Sequence, residues 1–293
     1  MIFVARSSAI AVLALLALSP SHPLGAADAT SAAAAVDPVA ASPRASARGH
    51  DQYGDWADLT VKGVVQRFRL IPAGTFTMGS PPAEHGHELD EVQHLVTLTK
   101  CFWLADSECT HDLWHAVMTP IPDPPDYSSS STQQQPGDRA QDEISWSDCT
   151  TFLDRMNHQV VGLEARFPTE AEWEYACRAG TTGPDTAASV EKMAWYGNRR
   201  DDPMHPVKLK VSNAWGLFDM QGNVVEYCQD WYGDYPSGPV TDPIGPATGT
   251  MRVVRGGSNC NPDVYCRPAK RFSLPPDQAE RMIGFRICLS SQP

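Results

Sequence analysis

The alternation of apolar and polar positions is the first ordered feature of the chain. From Val92 to Leu104 it has the period of two expected of a strand. Val64–Leu70 and Thr75–Met78 read as two short strands around a Pro72-Ala73-Gly74 turn. A helix is expected at His111–Met118, with Thr110 as its N-cap. A second follows Ser145, with Asp148 three residues on as in a capping box, and Trp146, Cys149, Phe152, Leu153 and Met156 on one face. A third runs from Glu170 to Arg178. Thr169 and Glu172 form its capping box, Trp173, Ala176 and Cys177 face inward, and Gly180 ends it in the left-handed conformation. Arg252–Arg255 and Ile283–Leu289 read as the closing strands. The pattern thus predicts short strands, short helices and long loops.

Upstream of this pattern the sequence changes character. Arg6 followed by the short apolar run Ala9–Leu18 and the small residues Gly25, Ala26 and Ala27 reads as a signal peptide over 1–27. The run is too short to span a bilayer about 30 Å thick. The protein is therefore expected to be exported, periplasmic or secreted, with no stable membrane span after cleavage. Residues 28–59 are read as a flexible linker, because the Ala/Ser/Pro composition that opens them buries too little surface to offset its ordering entropy.

Eight tryptophans and nine phenylalanines supply a sizeable core, and twenty-five prolines and twenty-one glycines break it into short elements. A net charge of −12 without a basic stripe argues against nucleic acid as a partner. The eight cysteines, Cys101, Cys109, Cys149, Cys177, Cys228, Cys260, Cys266 and Cys288, form no C-x-x-C pair, and in an exported protein they are free to form disulfides whose pairing the sequence does not choose. His85, His87 and His94, and the His111/His115 pair one turn apart, invite a zinc reading, but a solvated loop and a helix surface account for them. Glu170, Glu172 and Glu174 are read as acids favoured by a helix N-terminus.

The most specific stretch is NAWGLFDMQGNVVEYCQD, Asn213–Asp230. Asp219 and Glu226 stand seven residues apart with Gly222 between them for a sharp turn. This arrangement is open to two readings: a site for a hard cation such as Ca²⁺, which takes six to eight oxygens, or a buried loop whose acids cap backbone N–H groups.

WGLFDMQGNVVEY resembles the GLYDM-x-GNVWEW signature of the formylglycine-generating enzyme (sulfatase-modifying factor) family. FRLIPAGTFTMGS, ISWSDCTTFLDRMN, RFPTEAEWEYACRAGT and RVVRGGS…CRPAKR…GFR resemble further family motifs in the same order. The resemblance implies a single α+β domain over 60–290, with a C-type-lectin-like fold and little regular secondary structure. It implies structural calcium held by the side chains of Asp219 and Glu226 and the carbonyls of Gly222 and Val224, and it implies a protein or peptide partner such as a sulfatase. A second family calcium site would have Asn198 as its remnant and is not expected. The family's pairing of a cysteine at the place of Cys177 with one after GFR is displaced here, because Cys288 falls one residue late. Catalytic members bind copper through two cysteines after RGGS. Ser258, Cys260 and Cys266 are the corresponding candidates, but the segment is several residues shorter and Val225 replaces a tryptophan of the signature. Two functions follow. One is a domain that binds or acts on a protein, peptide or envelope partner without formylglycine chemistry. The other is a copper-dependent oxidoreductase converting a sulfatase cysteine to formylglycine.

Overall fold

The computed structural model describes residues 45–119, 137–183, 187–197 and 204–290, all within one compact unit. The expected signal peptide, Asn198 and most of the 119–139 loop lie outside the described residues. Among the described residues no helix is long and apolar enough to cross a membrane.

A six-stranded sheet has the order β1-β2-β3-β6-β13-β7, from β1 (Ala45–Asp51), β2 (Gly54–Val61), β3 (Val64–Ile71), β6 (Phe102–Ala105), β13 (Cys288–Ser290) and β7 (Ala165–Arg166). A four-stranded sheet, β11-β10-β8-β12, is made of β11 (Phe272–Leu274), β10 (Arg252–Arg255), β8 (Val225–Trp231) and β12 (Ile283–Gly284). A three-stranded sheet joins β4 (Gly74–Met78), β5 (His94–Leu98) and β9 (Val240–Thr241). The helices are α1 (His111–Met118), α2 (Trp146–Gln159), α3 (Glu170–Arg178) and α4 (Ala187–Met193). Few helices and many short strands give the α+β class expected.

The local signals for the helices operate as read. Thr110 accepts from the Leu113 N–H, and both capping boxes are formed, Ser145 with Asp148 and Thr169 with Glu172. The reversal after α3 starts one residue early, since Ala179 already has φ 43° before Gly180 at φ 90°.

Three expectations need correction. β1 and most of β2 occupy 45–59, the C-terminal part of the expected linker, where the two strands form a hairpin on β3 and bury Ala57 and Leu59. Val92–Leu104 is two strands, because Asp242 binds the Thr99 N–H and hydroxyl at 2.8 and 2.5 Å and turns the chain there. Ile283–Leu289 is also divided, between β12 beside β8 and β13 between β6 and β7.

The six-stranded sheet is covered on both faces. Phe68, Trp103 and Leu289 join Leu113 of α1 and Phe152 of α2 in one core; Ile71, Phe102, Leu104 and Cys288 join Trp173 of α3 in the other. The period of two of a strand sends neighbours such as Cys288 and Leu289 to opposite cores. Trp173, with its indole fully buried, carries the second core to the foot of β8, where the functional loop enters the sheet.

Candidate functional site

The 213–226 loop is fixed from both ends. The Asn213 carboxamide accepts from the N–H groups of Trp215 and Leu217 and donates to the Ala176 carbonyl at 2.8 Å, tying the turn to α3. Asp219, Gly222 and Asn223 all have positive φ. At Gly222 the reason for glycine is steric: a Cβ would lie 1.9 Å from the Trp195 carbonyl oxygen. That approach lets the Asn223 N–H donate to Trp195, while the Gly222 N–H donates to Gly256 and the Asn259 N–H donates to Asn223. The central loop and the Gly256-Gly257-Ser258 loop, distant in sequence, thus lie side by side.

Glu226 and Asp219 have different surroundings. Both oxygens of Glu226 are engaged: Arg286 donates to them at 2.5 and 2.7 Å, and the Trp173 indole donates at 2.8 Å. Arg286, fully buried, also donates to the carbonyls of Ala105 and Phe218. One oxygen of Asp219 accepts from the Lys208 N–H at 2.7 Å, and the other is buried without a hydrogen-bond partner. Val224 does not stand apart from this group, since its N–H donates to Glu108 at 3.1 Å.

Glu108 went unread in the sequence. It is fully buried and also accepts from the Asn223 carboxamide at 2.7 Å. Its position directly before the N-cap segment of α1 was the available signal. Burial, with Asp219 and Glu226 adding repulsion, pushes its carboxyl well above the usual range. Burial likewise lifts Asp219 to about 6. Three carboxylates therefore face the Arg286 guanidinium, with the Lys208 ammonium, paired to Asp106, acting on Asp219 as well; a proton or a bound cation relieves the remaining imbalance. The orphaned Asp219 oxygen fits a hard cation. Glu226, in this arrangement, is the counter-ion of Arg286. Among the described residues no group of three or more His, Cys, Asp or Glu side chains is arranged to hold a metal by itself, so a cation here would draw on backbone and water oxygens as well.

Residues 58–291 match the family model described as the sulfatase-modifying factor enzyme 1-like domain. The chain belongs to this family. Formylglycine-generating enzymes of Streptomyces coelicolor (38% identical, 49% of this chain and 50% of the relative) and Thermomonospora curvata (34%, 47% and 57%) are similar to it. The chain spans about half the length of these curated relatives. Among solved structures, Treponema denticola variable protein 1 superposes with a TM-score of 0.68 at 27% identity, covering 80% of this chain and 99% of that one. PvdO from Pseudomonas aeruginosa does so with 0.64 at 26%, covering 76% and 94%.

The cysteine segment of this sulfatase-modifying-factor-like domain is a compact loop closed by a 3-10 turn at Asp263–Tyr265. Both the N–H and the hydroxyl of Ser258 donate to the Asn261 side chain at 2.9 Å, so the hydroxyl staples the loop. Cys260 is half-buried. Cys266 is fully buried beneath Gly257, where a Cβ would come within 2.9 Å of its sulfur. Burial pushes the Cys266 thiol up to about 12. Cys109, Cys149, Cys228, Cys266 and Cys288 are free thiols. Cys288 and Cys177 reach the same core without being joined: Cys288 lies toward Glu172 and Cys177 toward the Met220 carbonyl.

Glu170, Glu174, His87 and His94 have structural partners. Glu170 binds Arg271 at 2.7 and 2.9 Å and also Arg255; Glu174 binds Arg178, Arg255 and the Gly79 N–H. His87 hydrogen-bonds Ser80 at 2.8 Å, and His94 packs against the Tyr235 ring.

Proposed function

We propose that this domain binds a protein or peptide partner without formylglycine chemistry, and that it does so outside the cytoplasm as an exported, calcium-stabilised module. The observation that carries the reading is the environment of Cys266. A copper-binding pair needs two thiolates at one point, because the thiolate is the metal ligand and suits soft Cu(I). Cys266 is wholly buried and sealed under Gly257, whereas Cys260 sits half-exposed. Val225 in place of the signature tryptophan supports the same reading. Calcium rests on the open Asp219 oxygen and the excess of buried negative charge around it.

The alternative is a formylglycine-generating oxidoreductase acting on a sulfatase cysteine, favoured by the names of the relatives at 34–38% identity. Anaerobic Cu(I) titration, with mass spectrometry of a Cys-x-Pro-x-Arg peptide before and after incubation, separates the two. The binding reading expects no tight copper site and an unchanged peptide. Conversion of the peptide cysteine to an aldehyde would establish the oxidoreductase.

A further inference from the structure

Arg252 opens β10 at the end of the strand away from Ser258. Its guanidinium lies between two indoles, 3.7 Å from the Trp146 ring centre and 3.4 Å from that of Trp231. One terminal nitrogen donates to the Gln229 carbonyl at 2.6 Å, and Nε is buried with no hydrogen-bond partner. Arg166, Arg178, Arg255, Arg267, Arg271 and Arg286 each pair with a carboxylate; Arg252 pairs with none among the described residues. Asp230 acts on it only at longer range.

This guanidinium lines a groove of about 410 Å³ whose walls include Phe167, Ile244, Pro246 and Ala247. A neighbouring groove of about 310 Å³ shares Arg166, Gln229 and Ile244 with it and extends to Lys100. Ile244, on the shared wall, is 66% exposed. Asp154 on the lining is exposed, where solvent screens its charge.

With both faces of the guanidinium covered by indoles, an incoming group meets it at its edge, in the plane that suits a carboxylate. One unpaired cation supplies one charge, which matches a carboxylate better than a phosphate dianion. The rest of the lining mixes apolar Phe167, Ile244, Pro246 and Ala247 with polar Thr150 and Gln229, a mixture that suits the apolar side chains and backbone amides of a peptide. We propose that this groove binds an extended peptide segment carrying an acidic side chain flanked by apolar residues, with the carboxylate on Arg252 and the apolar neighbours against Ile244, Phe167 and Pro246. The proposal deepens the binding reading above and rests on it.

The test is NMR titration of the ¹⁵N-labelled protein with acetyl-Leu-Glu-Leu-amide and with its Gln analogue. The signals followed are the Arg252 Nε–H and the indole N–H groups of Trp146 and Trp231. The expected result is a saturating shift with the Glu peptide, binding weaker by about tenfold or more with the Gln peptide, and a similar loss for Arg252→Gln. Should Arg252→Gln fail to fold, the Glu/Gln pair on wild type decides. Equal binding of the two peptides, no saturable shift, or preference for a glucuronate disaccharide would overturn the proposal. None of these outcomes touches the copper and aldehyde assay, so the two readings fail separately.

Discussion

Arg286 and Glu226 form a two-point ion pair with no exposure to solvent, linking the turn after β12 to the start of β8. Removing one partner of such a pair costs about 3–5 kcal/mol where the other charge is left buried and uncompensated; Glu108 and Asp219 also act on Arg286, so the lower end of that range applies. Glu226→Gln is therefore expected to lower the melting temperature by roughly ten degrees even without calcium, at ~2–4 °C per kcal/mol for a domain of this size. Thermal unfolding in chelator measures it. An unchanged melting temperature would show that Arg286 is compensated elsewhere.

Calcium should raise the melting temperature through Asp219. A ligand at a hundred times its dissociation constant stabilises by about 2.7 kcal/mol, a rise of several degrees on the same scale. Asp219→Ala removes the open oxygen and should abolish the rise while keeping the Arg286–Glu226 pair. Identical wild-type melting curves in calcium and in chelator would mean that the imbalance is relieved by protonation of Glu108.

Asp230 should make stability fall with rising pH. Burial, with Glu170 adding repulsion, lifts its carboxyl to about 7. A group whose folded pKa lies above its unfolded value, near 3.9, contributes stability that is fully present below the unfolded pKa and lost as pH rises through the folded one. The loss should therefore develop between about pH 4 and pH 7. Asp230→Asn keeps an oxygen for the Glu170 N–H, now at 2.9 Å from Asp230. Denaturant unfolding across this range should show a flatter profile for Asp230→Asn and greater stability than wild type at pH 8; parallel profiles would exclude Asp230 as the source.

Two glycine substitutions should differ sharply. At Gly180 a Cβ meets nothing within 4 Å and the strain is that of φ +90° alone; Gly180→Ala should cost on the order of 1 kcal/mol. At Gly222 the added carbon collides with the Trp195 carbonyl as well. Gly222→Ala should yield little folded protein, as read by soluble expression and circular dichroism.

Legibility in the sequence followed the range of the interactions. Helix starts were readable because Thr110, Ser145 and Thr169 act on N–H groups three residues away. Strand ends set by distant side chains were not: Asp242 turns the chain at Thr99 from 143 positions away. The linker was extended too far because 45–59 becomes ordered only by pairing, β1 on β2 and β2 on β3. In the site, spacing brought out Asp219, Gly222 and Glu226, which lie on one loop. Arg286 as the partner of Glu226, 60 positions away, and Glu108 beside Asn223, 115 positions away, exist only in the fold. Arg252 carries no local pattern at all, since what marks it is the lack of an ion pair among the described residues.

The position of β13 bears on how the chain can be made. This strand sits inside the six-stranded sheet, between β6 and β7, and supplies the partner that each needs there. A nascent chain lacking 288–290 has a gap in its largest sheet, with two unpaired edges facing each other across the missing strand. The largest sheet should thus close only once 288–290 have been made, and deletion of these three residues should be more damaging than their number suggests.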